Sequence, residues 1–169
     1  MSSNLSGTIT IVPAFTNRDT DAGLSNPKET VTQSSAVTFA NGIGATEIDS
    51  LFTDEKTDLA ASTTESYDLT SLEDGIGNAV AFVKVKTLSI TAKTANTSDI
   101  LLDSTIVNAF LGYATVATKI AIQPGGNVTF VAPGDGYTVT AATADILAIE
   151  NTDGSVTAAY DLIITGTSA

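Results

Sequence analysis

The sequence predicts an all-β protein: a jelly-roll-like antiparallel β-sandwich with an N-terminal arm and one short helix. Three observations carry this. The chain spends its length on Thr, Ser, Ala, Gly and β-branched residues, the last of which suit a pleated surface. Alternating segments recur about every ten residues from 64 to 166, as in sandwiches and barrels. Between them lie the turn signals Glu73-Asp74-Gly75, Pro124-Gly125-Gly126, Pro133-Gly134-Asp135-Gly136 and Asn151-Thr152-Asp153-Gly154. A length of 169 residues suits one domain with one core.

In chain order, residues 7–15 read as a strand with Ile9 and Ile11 on one face, confined by Pro13 to a strand end or an edge. The polar stretch 16–29 contains Asn26-Pro27, and residues 1–34 are assigned to an arm or edge-strand region. The sandwich is assigned to 35–169. Val37 and Phe39 alternate within 35–40, and Asn41-Gly42 reads as a turn. Residues 46–56 form the helix candidate. Ile48, Leu51 and Phe52 stand at i, i+3 and i+4, and Thr46 with Asp49 resembles a capping box. The remaining strands are expected at 66–69, 79–92, 100–102, 118–123, 127–132, 137–141, 145–150 and 157–165.

Within 79–92 the apolar phase changes. Val83 and Val85 share one parity, whereas Leu88, Ile90 and Ala92 take the other. A one-residue slip inverts every side chain, so a β-bulge or a strand corner is expected near Thr87, with Lys84 and Lys86 outward before it.

Composition narrows the chemistry. The chain has no His, no Cys and no Trp. Ser-His-Asp and Cys-His catalysis and zinc or copper sites therefore lack their residues. No cofactor and no metal are expected. Seven basic residues oppose nineteen acidic ones, for a net charge of −12. That balance disfavours nucleic acid and anionic membranes, and suits either simple solubility or a basic partner. The first fifteen residues have neither the basic nor the apolar region of a secretory leader, and no apolar run approaches a membrane span. A soluble protein made in the cytosol is expected.

Several constellations have plainer readings. Asn17, Asp19, Asp21 and Gly23 resemble a calcium loop, but Ala22 and Lys28 occupy its sixth and twelfth positions, so a polar turn is expected. Acidic residues crowd between Glu47 and Asp74 with Lys56 the one base among them. A carboxylate pair there would suit glycoside hydrolysis, but the aromatic platforms of sugar sites are missing, and a solvated or docking face is expected. Pro124-Gly125-Gly126 lacks the trailing Gly-Lys-Ser/Thr of a phosphate loop and reads as a hairpin turn. The few Phe and Tyr residues do not interleave with bases and read as core.

The segments Lys56-Thr57-Asp58-Leu59-Ala60-Ala61-Ser62 and Glu65-Ser66-Tyr67-Asp68-Leu69 resemble the "R-T-L-A-A-S … D-L-D-L" opening of a family of small tailed-phage virion proteins. Phe82-Val83-Lys84-Val85-Lys86-Thr87-Leu88 is similar to its "F-x-x-V-K-x-L" strand. Phe39 to Ala45, Asn108-Ala109-Phe110, Ile122 to Gly126, Gly136 to Thr140 and Tyr160 to Ser168 follow in the family's order. Lys56 stands where members often carry Arg after an aromatic-x-Asp-x run. The resemblance implies a virion component with no catalytic motif: a head decoration or cement protein on the capsid exterior, made in the host cytoplasm. Its partners would be the major capsid protein and further copies of itself, with a trimer favoured. Leu5, Ile9 and Ile11 are the candidate contact residues, placed for strand addition to the capsid or to a neighbouring copy. The alternatives are a head-fibre or tail module that binds a receptor or glycan, and a carbohydrate-active enzyme.

Overall fold

The computed structural model of the chain describes residues 5–12, 14–18, 28–32, 34–114 and 116–169. All regular structure among them is strand: β1 (Gly7–Ile11), β2 (Ala14–Arg18), β3 (Lys28–Thr32), β4 (Ser35–Asn41), β5 (Glu47–Ile48), β6 (Ser50–Leu59), β7 (Thr64–Asp68), β8 (Leu72–Glu73), β9 (Ala79–Val80), β10 (Lys84–Ala92), β11 (Ile100–Asp103), β12 (Lys119–Ile122), β13 (Asn127–Val131), β14 (Tyr137–Thr138), β15 (Ile146–Asn151) and β16 (Ala158–Thr167).

Eight of these strands build two facing antiparallel sheets. One runs β13-β10-β16-β6, with β14 beside β10, and the other runs β12-β11-β15-β7. The pairings nest. β6 pairs β16, β7 pairs β15, β10 pairs β13 and β11 pairs β12, so first meets last and the two innermost meet each other. A single long ribbon rolled over on itself has this connectivity, and it is the jelly roll. The strands of each sheet that face inward supply the core: Phe52, Leu88, Ile90, Tyr160, Leu162 and Ile164 from one, Tyr67, Ile100, Leu102, Ile122, Leu147 and Ile149 from the other. Each large apolar side chain so buried contributes about 1.5–3 kcal/mol relative to exposure.

The expected phase change is present. Val85 lies opposite Gly166 and Thr87 opposite Thr165, so β10 advances two residues while β16 advances one. Lys86 is the extra residue, and both Val85 and Leu88 reach the core despite their opposite parity. Two details differ from expectation. Val83 precedes the strand and is exposed, so it does not share the face of Val85. Lys86 is buried, because the bulge turns it under the 133–136 loop, where its ammonium donates to the Gly134 carbonyl. Burial pushes the Lys86 pKa down, aided by the charge of Lys84. Since Gly134 itself is an exposed residue, Lys86→Met is expected to leave stability unchanged or raise it by up to about 1 kcal/mol. A clear drop in melting temperature would show instead that the ammonium holds the bulge.

The expected helix over 46–56 is absent. These residues form β5 and most of β6. The spacing from Ile48 to Phe52 is four, which satisfies a two-residue period as well as a helical one. Of the apolar stripe, Leu51 alone required a helix, and it faces outward, while Phe52 is buried. Thr53 and Thr57 stiffen an extended backbone, and β16 pairs along nearly the whole of β6. Thr46 adopts a positive φ of 56° and donates its N–H to Pro133, so it caps nothing.

Candidate functional site

The N-terminal region is a β-ribbon. β1 pairs β4 from Gly7 opposite Phe39 to Ile11 opposite Ser35, and β2 pairs β3 from Ala14 opposite Thr32 to Arg18 opposite Lys28. The register does not shift between the two pairs, so both belong to one hairpin alignment. At 3.4 Å per residue, Gly7–Ile11 and Ala14–Arg18 each span roughly 14 Å.

Alternation makes the opposite faces of the β1–β4 pair unlike. One carries the pairs Ile9–Val37 and Ile11–Ser35 and ends on Phe39. The other carries Thr8–Thr38, whose hydroxyls are 3.2 Å apart, and Thr10–Ala36. Further along, the register pairs Phe15 with Val31 and Thr16 with Thr30, in the same alternation. Burial decays away from the sandwich. Phe39 is buried, Ile9 and Val37 are half-buried, and Ile11 and Val12 are 49% and 50% exposed.

The root of the ribbon is well fastened. β4 pairs β5 in parallel through Ala40–Glu47 and Asn41–Ile48. The Glu47 carboxylate accepts the Gly44 N–H at 2.7 Å and fills the space a side chain at Gly42 would need. Leu5 donates its N–H to Asn41 Oδ1 at 2.9 Å. Asp49 accepts the Ser168 N–H at 2.8 Å and the Ser168 hydroxyl at 2.6 Å, tying the C-terminal strand to the same corner. Ile48 and Phe39 are buried at this root.

Beside the root lies an open groove of about 1330 Å³. β6 ends its sheet, and the groove runs between the first half of β6 and the β8–β9 hairpin. Leu51, Ile76 and Val80 give it an apolar lining, to which Leu5 adds, and Asp49 and Asp74 are its acids. Asp74 shapes the hairpin tip by accepting the N–H groups of Ile76 and Asn78 and the Asn78 side-chain amide. Those hydrogen bonds, the Asn78 amide first, hold its carboxyl below the usual range. The turn leaves Ile76 85% exposed.

The structure thus brings Ile9 and Ile11 onto one face and sets Leu5 apart, at the groove. Sequence reading assigned none of Val37, Leu51 and Ile76 to a site and missed the β2–β3 pairing. A signal for the ribbon exists: odd-numbered apolar and even-numbered Thr positions in 7–18 are mirrored in 28–39.

The acidic residues between Glu47 and Asp74 largely have local tasks. Lys56 pairs with Glu65 at 3.0 Å and Asp58 at 3.7 Å, and Lys93 pairs with Glu55 at 3.3 Å and Asp161 at 2.6 Å. Asp54 accepts the Tyr67 hydroxyl at 2.5 Å, and Tyr67 lies 2.6 Å from the Tyr160 hydroxyl. Since the one proton of Tyr67 goes to Asp54, Tyr160 donates to Tyr67. Among the described residues no three carboxylates are close enough to share a cation. The calcium-like run has Asn17 in β2, while Asp19, Asp21 and Gly23 lie outside the described residues. Comparison with protein-family models, with curated proteins and with solved structures finds no match.

Proposed function

We propose that this chain is a capsid accessory protein of a tailed phage, a decoration or cement module that clamps the outer head surface without covalent chemistry. The observation that carries the reading is the ribbon: a two-stranded arm, rooted in a rigid jelly roll, whose apolar row becomes more exposed with distance from its root. A two-stranded hairpin is marginally stable alone and gains stability by covering its apolar face. A protein that keeps such an arm is built to grip something.

The resemblance of the motif order to that of small tailed-phage virion proteins supports the shell as what is gripped. Charge agrees with an exterior position. Asp19, Asp21 and Glu29 are the acids of the first 34 residues, leaving 16 of 19 on the sandwich with 5 of 7 bases, a surface that packaged DNA would repel. Each buried Å² contributes about 25 cal/mol before association costs, and repetition around a symmetric shell multiplies a modest contact.

Mass spectrometry of purified particles is expected to find this chain at a copy number comparable to that of the main shell protein. Purified full-length protein is expected to bind heads that lack it. A chain shortened to residues 35–169 keeps all eight sandwich strands and is expected to bind at least about 100-fold more weakly, a loss of some 2.7 kcal/mol or more. Absence from the particle, or equal binding by the shortened chain, would overturn the reading.

A further inference from the structure

We infer that β13 pairs with β13 of a second copy about a two-fold axis at Thr129, joining two sheets edge to edge in a dimer. The inference uses no residue of the ribbon and does not rest on the capsid reading.

The sandwich has four edge strands, β6, β7, β12 and β13, and among the described residues β13 has no strand on its outer side. An open edge is a template for pairing, and natural sheets blunt it with charged side chains. Three of the four edges are blunted in this way. β6 carries Asp54, Glu55, Lys56 and Asp58, β7 carries Glu65 and Asp68, and β12 opens with Lys119. β13 reads Asn127-Val128-Thr129-Phe130-Val131, with no charge, no Pro and no Gly. The neutral tract extends beyond it, since Lys119 is the one charged residue between Ser104 and Gly134. That choice of residues selects the occupant. A neutral edge offers no hold to a basic partner. On a chain of net charge −12 it is also where an identical copy approaches without like-charge repulsion.

Hydrogen bonding fixes the register. Ala132 donates to the Lys86 carbonyl and Ala92 to the Gly126 carbonyl, so the even-numbered residues of this stretch bond toward β10. In an antiparallel ladder the alternate residues face the other way. The N–H and C=O groups of Asn127, Thr129 and Val131 therefore point to the free edge. Thr129 is the middle residue of β13. A two-fold axis there sets Thr129 opposite Thr129 and Asn127 opposite Val131, and every outward group finds a partner.

The side chains suit the same register. Val128 falls opposite Phe130 on both sides of the axis, in non-hydrogen-bonded pairs with Cα atoms about 4.5 Å apart. Pairs of a branched and an aromatic side chain stabilise a sheet, as do the paired Thr hydroxyls that Thr129 supplies on the other face. Val128 and Phe130 are half-buried in one copy, and Tyr113 backs Phe130 with ring centroids 5.3 Å apart. The same operation on β6 fails. About Glu55 it opposes that carboxylate to its own copy, and about Lys56 it opposes Asp54 to Asp58.

The contact is short, so a Kd on the order of 1–100 µM is expected. It is isologous and closes at two copies. Sedimentation equilibrium of the full chain, without heads, is expected to show masses between 17.2 kDa and twice that value, rising with concentration. Thr129→Lys and Thr129→Glu each set like charges opposite one another at the axis. Each is expected to weaken the dimer at least about ten-fold while circular dichroism stays native. Mixed in equal amounts, the two variants are expected to dimerise with each other, because opposite charges then meet. Thr57→Lys, on the blunted edge β6, is expected to leave the equilibrium unchanged. A 17.2 kDa monomer at about 1 mM overturns the inference. So does an assembly larger than two copies, one that both Thr129 variants leave intact, or a mixture of those variants that stays monomeric. Binding to heads reports separately. A chain that dimerises but ignores heads removes the capsid reading and leaves this inference, and a monomer that binds heads does the reverse.

Discussion

Gly166→Ala is expected to destabilise the protein by about 3 kcal/mol or more, toward the upper end for an added methyl group. A Cβ at this position would lie 2.0 Å from the Lys84 carbonyl oxygen and 2.8 Å from Cδ1 of Phe82. The first obstacle is backbone, and it is held from several sides. Val83 donates to the Thr167 carbonyl at 2.8 Å, Asp49 donates to the Gly166 carbonyl at 3.0 Å, and Val85 is the register partner of Gly166 itself. The bulge at Lys86 begins at this pairing, so relief of the clash would have to move β10 against β16 where the two are least regular. For a chain of this size the loss corresponds to a fall in melting temperature of roughly 6–12 °C. Gly154→Ala is the control, since nothing lies within 4 Å of a Cβ there. Melting temperatures for the two variants within 2 °C or so of each other would refute the argument.

Gly166 also illustrates how far the sequence could be read. The parity change between Val85 and Leu88 is a local signal, because a strand has a two-residue period and a break in it must be absorbed nearby. The bulge was therefore legible. The need for Gly eighty residues later was not, since it arises from pairing between β10 and β16. The same limit applies to the nested strand order, which local alternation does not encode. The helix assigned to 46–56 failed because Ile48 and Phe52 fit both periods. The ribbon was half legible. Ile9 and Ile11 announce β1, but 16–34 looks polar because its only aliphatic residues are Ala22, Leu24 and Val31. The mirrored pattern becomes visible when 7–18 is laid against 28–39. The groove was illegible, since Ile76 reaches β6 through a hairpin of two-residue strands.

The protein is expected to unfold cooperatively above pH 10, with little change in stability between about pH 6 and 9. The chain has no His to titrate in the neutral range. Its buried tyrosines set the alkaline limit. Burial raises the Tyr67 pKa first, and the hydrogen bond to Asp54 raises it further. Burial likewise raises the Tyr160 pKa. Tyr113 is pushed up to about 12, chiefly by burial. Removing a proton from the Tyr160–Tyr67–Asp54 chain would place a second negative charge beside Asp54 inside the sandwich. The unfolded chain suffers no such penalty, and its tyrosines ionise near pH 10. Above that value the folded state holds protons that the unfolded state has released. The stability they represent is complete below pH 10 and is lost as the pH rises toward the folded pKa values. Each such tyrosine removes about 1.4 kcal/mol per pH unit, so Tyr67 and Tyr160 together remove roughly 2.7. A domain with some 5–15 kcal/mol of stability then fails within a few pH units, sooner once Tyr113 contributes. Phenolate absorbance at 295 nm and circular dichroism would report it, the buried phenols ionising in step with loss of structure. Tyr160→Phe should reduce the pH slope by about half while removing the donor to Tyr67. Native circular dichroism persisting after all four phenolates have formed would show that these hydroxyls titrate without disturbing the sandwich.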